Sequence, residues 1–512
     1  MIKKYFFVLF VFIAILFKSQ TQFLDQSFGT NGVVSYTPNN TYGFVYDAGA
    51  INSQQKIIVS GGYTSPANPY PYYRTNVIQR LNSNGTIDNT FSSLIIPPNN
   101  IYPSVPDLFF TKICIQPNQK ILLGDIMFRK VIRLNENGTY DSGFGNNGVI
   151  DGSVIHTSLD AYGLSSFGLK NVFYTNTNKI LVCLSALENQ ETRTVVLRLN
   201  DNGTMDTTFG NNGVILQNGF YGSLIIQDDS KLVLISQDDS LVINKTRYSS
   251  EGLIDNSYNN QPLPYIPLTG YTTNFIKARG RNNSVYIYGI SNPSASFASL
   301  ITLIKINQNG EIETSFGTNG IVNEPYYSNN NNYYVDTNIN FPELLLDGDD
   351  NIFIACNVSQ TITPVNYNHF IKKFTSNGVV DQSFGINGIV EVDLNYSEQI
   401  RAALITGDNK IMTFGHYQTP NKGMVTKILN SNASLSVSNV AKKHFKVYPN
   451  PVVNFIHIDN SKNSNSTAEI FDINGRLILL KPIKNNMIYV GGLQKGNYLV
   501  KIGEVTEKFI KK

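Results

Sequence analysis

Arg198-Leu-Asn-Asp-Asn-Gly203-Thr-Met-Asp206-Thr-Thr-Phe209-Gly210-Asn-Asn-Gly213 is the stretch from which the rest of this 512-residue chain is read, because the chain repeats it. Arg133…Gly138…Asp141…Phe144-Gly145…Gly148 is a near copy, and further copies run Arg80…Asp88…Phe91, Arg247…Asp255…Tyr258, Lys305…Glu313…Phe316-Gly317 and Lys373…Asp381…Phe384-Gly385. A second element alternates with it, a short β-rich run after a polar turn, as in Gln55-Lys56-Ile57, Gln119-Lys120-Ile121 and Asn178-Lys179-Ile180. It occurs seven times, the other copies beginning at Ser230, Asn283, Asn351 and Asn409. The acidic position of the first motif falls at Asp25, Asp88, Asp141, Asp206, Asp255, Glu313 and Asp381, at intervals of 63, 53, 65, 49, 58 and 68. Runs of β-branched and aromatic residues between Asn-Gly turns, at a spacing near the roughly 50 residues of kelch repeats, indicate propeller blades.

The two ends complete one another. Phe23-Leu24-Asp25…Phe28-Gly29…Gly32 is the second half of the motif, and Lys427-Ile428-Leu429-Asn430 is the first half. Joined, they make one full copy, as in rings whose last blade is built from both termini, which removes an exposed sheet edge. The expected fold is all-β, a seven-bladed β-propeller closed by both termini. Asn-x-Asn-Gly supplies the positive φ of a tight hairpin, and the motif phenylalanine is placed to fill the space between blades. In six copies a basic residue stands eight positions before the acidic one, which predicts a repeated ion pair; an exposed pair contributes only about 0–1 kcal/mol.

Composition sets the outer limits. Apolar residues make up 41% and charged residues 15%, enough for a sizeable core. The formal net charge is +3 but is unevenly spread: from Lys442 onward there are 12 basic and 5 acidic residues, against 25 and 32 between Ser19 and Ala441. A mildly acidic body with a basic tail excludes a nucleic-acid binder, whose footprint is a basic patch on the folded body. Lys3 and Lys4 precede the 13-residue apolar run Tyr5 to Phe17, a secretory leader too short for the roughly 20 residues of a spanning helix. Nothing later in the chain is expected to span a membrane as a helix. Cys114, Cys183 and Cys356 each lie in an apolar strand-like run and are expected as buried free thiols. The expected organisation is a leader at 1–20, the propeller at 21–436, a polar linker at 437–443 and a small β-sandwich, immunoglobulin-like, at 444–512.

Two resemblances follow from these residues. Tyr448-Pro449-Asn450-Pro451, Ile470-Phe-Asp-Ile-Asn-Gly475-Arg476, Gly496-Asn-Tyr498-Leu-Val-Lys501 and the basic end Lys508…Lys511-Lys512 resemble the type A C-terminal sorting domain of the type IX secretion system of Bacteroidetes. That resemblance implies passage through the periplasm, contact with the secretion machinery and an outer-membrane sortase, and a final address outside the cell or on its surface. The body is similar to the delta-60 repeat family, built on Arg-Leu-Asn-x-x-Gly-x-Leu-Asp-x-x-Phe-Gly; Ser92 and Tyr258 depart from its Phe-Gly, so irregular blades are expected there.

No reaction is written in the motifs. There is no Gly-x-Ser-x-Gly, phosphate loop or His-Glu-x-x-His, and the five histidines lack metal-ligand spacing. Acidic turns such as Asp347-Gly-Asp349-Asp350 and Asp201…Asp206 raise calcium, but the calcium-loop pattern with its terminal glutamate is missing and hairpin chemistry accounts for them. No catalytic residue, metal or cofactor is assigned. The first and third turns of each blade read as short, and the second and fourth connections as long, variable and tyrosine-rich, emerging on one face. The expectation is therefore a non-enzymatic scaffold that binds an unknown extracellular protein or glycan through Tyr70, Tyr72, Tyr73, Tyr326, Tyr327, Tyr333 and Tyr334. The alternatives are a secreted polysaccharide- or protein-degrading enzyme, which two buried acids facing the ring's axis would favour, or a structural surface-layer component.

Overall fold

The computed structural model describes residues 20–37, 43–64, 74–97, 108–294, 299–326, 333–335, 342–360, 367–394, 396–417, 421–430, 446–458, 467–472, 476–502 and 505–512. The chain divides into two compact units, Met1–Ala433 and Ser434–Lys512.

Among the described residues of the first unit there are seven antiparallel sheets. Their innermost strands are Phe44–Ile51, Phe110–Ile115, Leu164–Tyr174, Phe220–Ile226, Tyr271–Arg281, Glu343–Leu346 and Glu398–Ile405. Each touches the next in this order, and the last touches the first, so the ring is closed. Closure is made by both chain ends: Val33–Tyr36 pairs with Lys422–Ile428, Val33 opposite Thr426. The split motif also reforms its bonds, since Asp25 N donates to Lys427 O at 2.7 Å just as Asp88 N donates to Arg80 O at 2.8 Å.

The second strand of each sheet shows why the apolar runs are continuous. Alternate residues of one strand enter opposite spaces between sheets: Ile121 and Leu123 pack toward the preceding sheet, Leu122 toward the following one. Seven hydrophobic clusters fill the seven spaces in this way. A strand buried on both faces loses the polar alternation of a half-exposed one.

The motif residues lock these seams. Phe28, Phe144, Phe209 and Phe316 are buried between sheets. Gly203, at φ +89°, lies against Phe144 and Ile150 of the preceding copy; a Cβ there would come within 2.6 Å of Ile150 Cδ1. Five of the six predicted ion pairs form: Arg80–Asp88 at 2.7 Å, Arg133–Asp141 at 2.5 Å, Arg198–Asp206 at 2.8 Å, Arg247–Asp255 at 2.9 Å and Lys373–Asp381 at 3.0 Å. The Lys305–Glu313 pair is a correction, because Glu313 accepts from Ser315 and Lys305 stands over the Tyr286 ring. The arginine pairs are also not the exposed contacts expected, since side-chain exposure is 2% for Arg133 and 9% for Asp141. Lysines of the second motif join them, with Lys56, Lys120, Lys179 and Lys231 reaching Asp88, Asp141, Asp206 and Asp255. Each arginine then donates to a carbonyl of the next repeat, Arg80 to Glu136 O at 2.7 Å and Arg198 to Ser250 O at 2.7 Å. Ser284 stands where those lysines stand, in the sheet whose Lys305–Glu313 pair is lost.

The blades differ from one another in detail, and one expectation, long second connections throughout, is corrected. Outer strands begin after the second glycine turn, as at Val149–Asp151. Second connections are not uniformly long, since Glu188 and Glu191 close a two-residue hairpin. Among the described residues one α-helix, Gly152–Asp160, stands within the otherwise β pattern, capped by Asp151, which accepts from Ser153 N, and burying Ile155 and Leu159. The sheet carrying Tyr258 has only three strands, while the sheet carrying Ser92 keeps four.

Among the described residues the second unit has a three-stranded and a four-stranded sheet. Ile456, Ile488 and Val452 from one part meet Ile470, Val500 and Phe509 from the other in a single core, giving a small β-sandwich.

Candidate functional site

All seven innermost strands contribute to one cavity of about 420 Å³ on the axis of the ring. Six of these strands carry a register shift there. The extra residue of a bulge re-aims its side chain, and Asp47, Thr111, Lys170, Ile276 and Arg401 are such residues, all lining the cavity. The lining includes five cations, Lys112, Lys170, Lys277, Arg279 and Arg401, and two carboxylates, Asp47 and Glu343.

Both carboxylates are held by basic groups. Glu343 pairs with Lys277 at 2.6 Å and with Arg279 at 3.4 Å. Burial raises its pKa, but Lys277, Arg279 and Lys112 outweigh that and hold it below the usual carboxylate range. Asp47 pairs with Arg74, which also lies 4.5 Å from the Phe109 ring. Burial pushes the Asp47 carboxyl up, against the pull of Arg74 and Arg401. Lys112 has no ion-pair partner among the described residues. Burial, followed by repulsion from Lys277, pulls its ammonium down to about 8, with Glu343 opposing and Arg279 and Lys170 adding to the fall. Burial likewise lowers Lys170 and Lys277.

The structure distributes the expected site residues otherwise. Tyr70, Tyr72, Tyr73 and Tyr327 lie outside the described residues. Tyr326 is a core side chain, 5% exposed, bonded to the Tyr288 hydroxyl at 2.5 Å and set edge-on to Phe370. It is corrected from loop surface to core, because the apolar space between its sheet and the next needs a large ring. Tyr333 and Tyr334 belong to a strand, Tyr333–Val335, paired with Gln360 and Ser359, and not to a loop. Asp347 accepts from Asp349 N and Asn351 N, which is hairpin bonding. Among the described residues no group of His, Cys, Asp or Glu could hold a metal ion. Cys183 and Cys356 are buried free thiols and Cys114 is half-buried.

The cavity residues were missed because each looks like a lone charge inside an apolar strand. A register signal existed nonetheless: Asp47, Lys170 and Arg401 each stand ten residues before the first isoleucine of the following strand, Ile57, Ile180 and Ile411. Asp47 and Glu343 are two acids on the axis, the feature that the enzyme alternative calls for.

In the second unit, Asn450 ties Tyr448-Pro449-Asn450-Pro451 to the last strand, accepting from Ile510 N at 2.8 Å and donating to Lys508 O at 3.3 Å. Tyr448 is exposed and stacks on His457, Tyr498 donates to Gln494 O, and Arg476 N donates to Asp472. Gly496 opens the strand Gly496–Ile502, and Lys501 stands 3.7 Å from Glu469. Lys511 Nζ donates to Lys512 O at 2.7 Å, and Gly475 lies outside the described residues.

Comparison with known proteins matches these two units separately. Residues 446–512 match the secretion system C-terminal sorting domain, so the tail is a type IX sorting domain and the chain is exported to the cell surface or the extracellular space. Residues 56–91 and 175–209 match a domain of unknown function (DUF5122), a β-propeller. Among the described residues no helix is long and apolar enough to cross a membrane. No curated protein matches the sequence. Similar solved structures include a streptogramin B lyase (10% identity, TM-score 0.39, covering 77% of this chain and 97% of that one). YCF48 bound to D1 peptide (8%, 0.38, 80% and 98%) and the polysaccharide lyase Uly1 (10%, 0.44, 75% and 90%) are two more. Likeness this remote does not choose between binding and catalysis.

Proposed function

We propose that this exported β-propeller is a non-enzymatic binding protein for an extracellular protein or glycan, with the deepest contacts of the ligand in the axial cavity. The observation that supports the reading is the state of the two cavity carboxylates. Asp47 is engaged by Arg74, and Glu343 by Lys277 and Arg279. A general acid or nucleophile must be free to deliver its proton or attack, and these groups are committed to neighbours. Tyr70, Tyr72, Tyr73 and Tyr327, which lie outside the described residues, remain proposed contacts for the same ligand.

The second reading, a secreted hydrolase or lyase, draws on the same two acids. Burial pushes Asp47 up while cations push Glu343 down, a divergence that acid–base pairs use. One experiment separates the two. The full chain is immobilised and offered extracted cell-surface polymers and proteins, with the bound ligand's chain length followed over time. Retention without shortening is expected. Steady product release that Glu343→Gln abolishes would overturn the binding reading in favour of the enzyme.

A further inference from the structure

We propose that the axial cavity is a binding site for a compact oxyanion carrying two or more negative charges, seated between Lys112 on one side and Lys277 with Arg279 on the other. The inference rests on the binding reading above and names the chemistry of its ligand. Lys112 and Lys277 belong to strands that are not neighbours in the ring, Phe110–Ile115 and Tyr271–Arg281, so their ammonium groups approach the cavity from separate directions. The volume of about 420 Å³ falls within the roughly 300–1,000 Å³ of small-ligand pockets.

Charge decides the class. Five cations face two carboxylates, and the carboxylates are already engaged. Lys112 is left without an ion-pair partner among the described residues, and beside it the buried Thr111 Oγ1 makes no hydrogen bond. An ammonium held at low dielectric without an ion-pair partner is costly to keep, and an oxyanion would supply both a close counter-charge and the missing acceptor. Arg279 adds a planar fork suited to carboxylate or phosphate. The surplus exceeds one charge, which favours a polyvalent ligand. Around Lys112 stand Lys170, Lys277, Arg279 and Glu343, with Asp47 and Arg401 on the remaining charged strands of the wall. Burial, followed by repulsion from Lys277, loosens the Lys112 proton, to about 8, so an anion placed beside it should also bring a proton with it.

Such charge is carried by small organic acids, by inorganic phosphate and by the acidic end of a saccharide. Titration calorimetry on the full chain with citrate, inorganic phosphate and a short oligouronate tests the site and separates these sources. Saturable binding of at least one probe, at one per chain, is expected. It should weaken with added salt, weaken from pH 7 to pH 9, and take up a proton near pH 8 when two buffers of different ionisation heat are compared. Lys112→Met should lose about tenfold or more in affinity. Lys112→Arg should keep the binding and lose its dependence on pH between 7 and 9, which a variant that merely misfolds would not do. A uronate bound alone identifies an acidic saccharide; citrate or phosphate bound identifies a small anion. No saturable binding of any probe, or equal binding by Lys112→Met, overturns the anion site. Polymer capture that persists in that case leaves the broader binding reading standing, and citrate binding without polymer capture does the reverse.

Discussion

Charge is used in opposite ways at the seams of the ring and on its axis. At a seam, one aspartate meets two cations and a local hydroxyl: Asp206 takes Arg198, Lys179 and Thr208. On the axis, Lys112 has no ion-pair partner among the described residues, and different strands bring different charged residues into one cavity. The seam arrangement recurs because every seam solves the same packing problem. The axial arrangement does not recur, and a cavity that keeps Lys112 without an ion-pair partner is arranged for something other than holding sheets together.

The comparison is most easily broken at a seam. Asp141→Ala leaves Lys120 without its carboxylate and Arg133 with only the half-exposed carboxylate of Asp201. Loss of one partner from a buried pair costs about 3–5 kcal/mol, and chemical denaturation of the full chain should show a loss on that scale. A change within error would return the pair to the status of a surface contact.

Acid should act next, through groups that neither set of charges includes. Burial holds His369 down at about 3, and holds His416 at about 4 with help from Arg401 and Arg74. An unfolded histidine titrates near about 6.5, so below that value the unfolded chain binds protons that the native chain refuses. Stability is complete above about pH 6.5 and falls as pH drops toward the native values, by up to about 1.4 kcal/mol per pH unit for each histidine. Melting temperatures between pH 8 and pH 4 measure this, and His369→Gln should flatten the curve. The seam aspartates act in the same direction lower down. Burial raises Asp88 and Asp206, but hydrogen bonds from Lys56 and Thr90 to the first, and from Thr208 and Lys179 to the second, outweigh it and lower both. Their contribution is present above the ordinary carboxylate value and is lost as pH falls through the depressed ones.

Gly203→Ala sharpens the packing half of the comparison. At φ +89°, with Ile150 and Phe144 against the new methyl group, it should cost about 1–3 kcal/mol. The corresponding change at Gly348, where nothing lies within 4 Å, should cost less. The smallest effect belongs to the copy that lost its pair. Glu313→Ala removes a carboxylate bonded to Ser315 at the surface, and a stability change within about 0–1 kcal/mol is expected. A loss as large as that of Asp141→Ala would show that the odd seam is braced by some other route.

Much of the ring was legible because its signals are local and repeated. Arg133 and Asp141, eight residues apart, sit on two arms of one hairpin, so their pairing follows from the chain's own course. The depth of that pair was not legible, because burial comes from the next repeat, whose turn receives Arg133 at Asp201 O. Tyr326 shows the opposite failure. In sequence it opens a tyrosine- and asparagine-rich stretch, yet the space between two sheets takes its ring and leaves its hydroxyl bonded to Tyr288. The axial residues were hidden for a third reason. Lys112, Lys277 and Glu343 share no motif, and only the seven strands converging on one axis bring them together.

By itself, then, the sequence determined the repeat, the closure of the ring by Asp25…Gly32 with Lys427, and the sorting tail at its end, since each is a pattern of neighbours along the chain. The tertiary structure decided which charges are buried at seams, which tyrosines are core, and which cations stand together without enough carboxylates. Those depend on distances between residues of different repeats. Spacing along the chain does not encode them, because bulges and connections of unequal length intervene between one strand and the next.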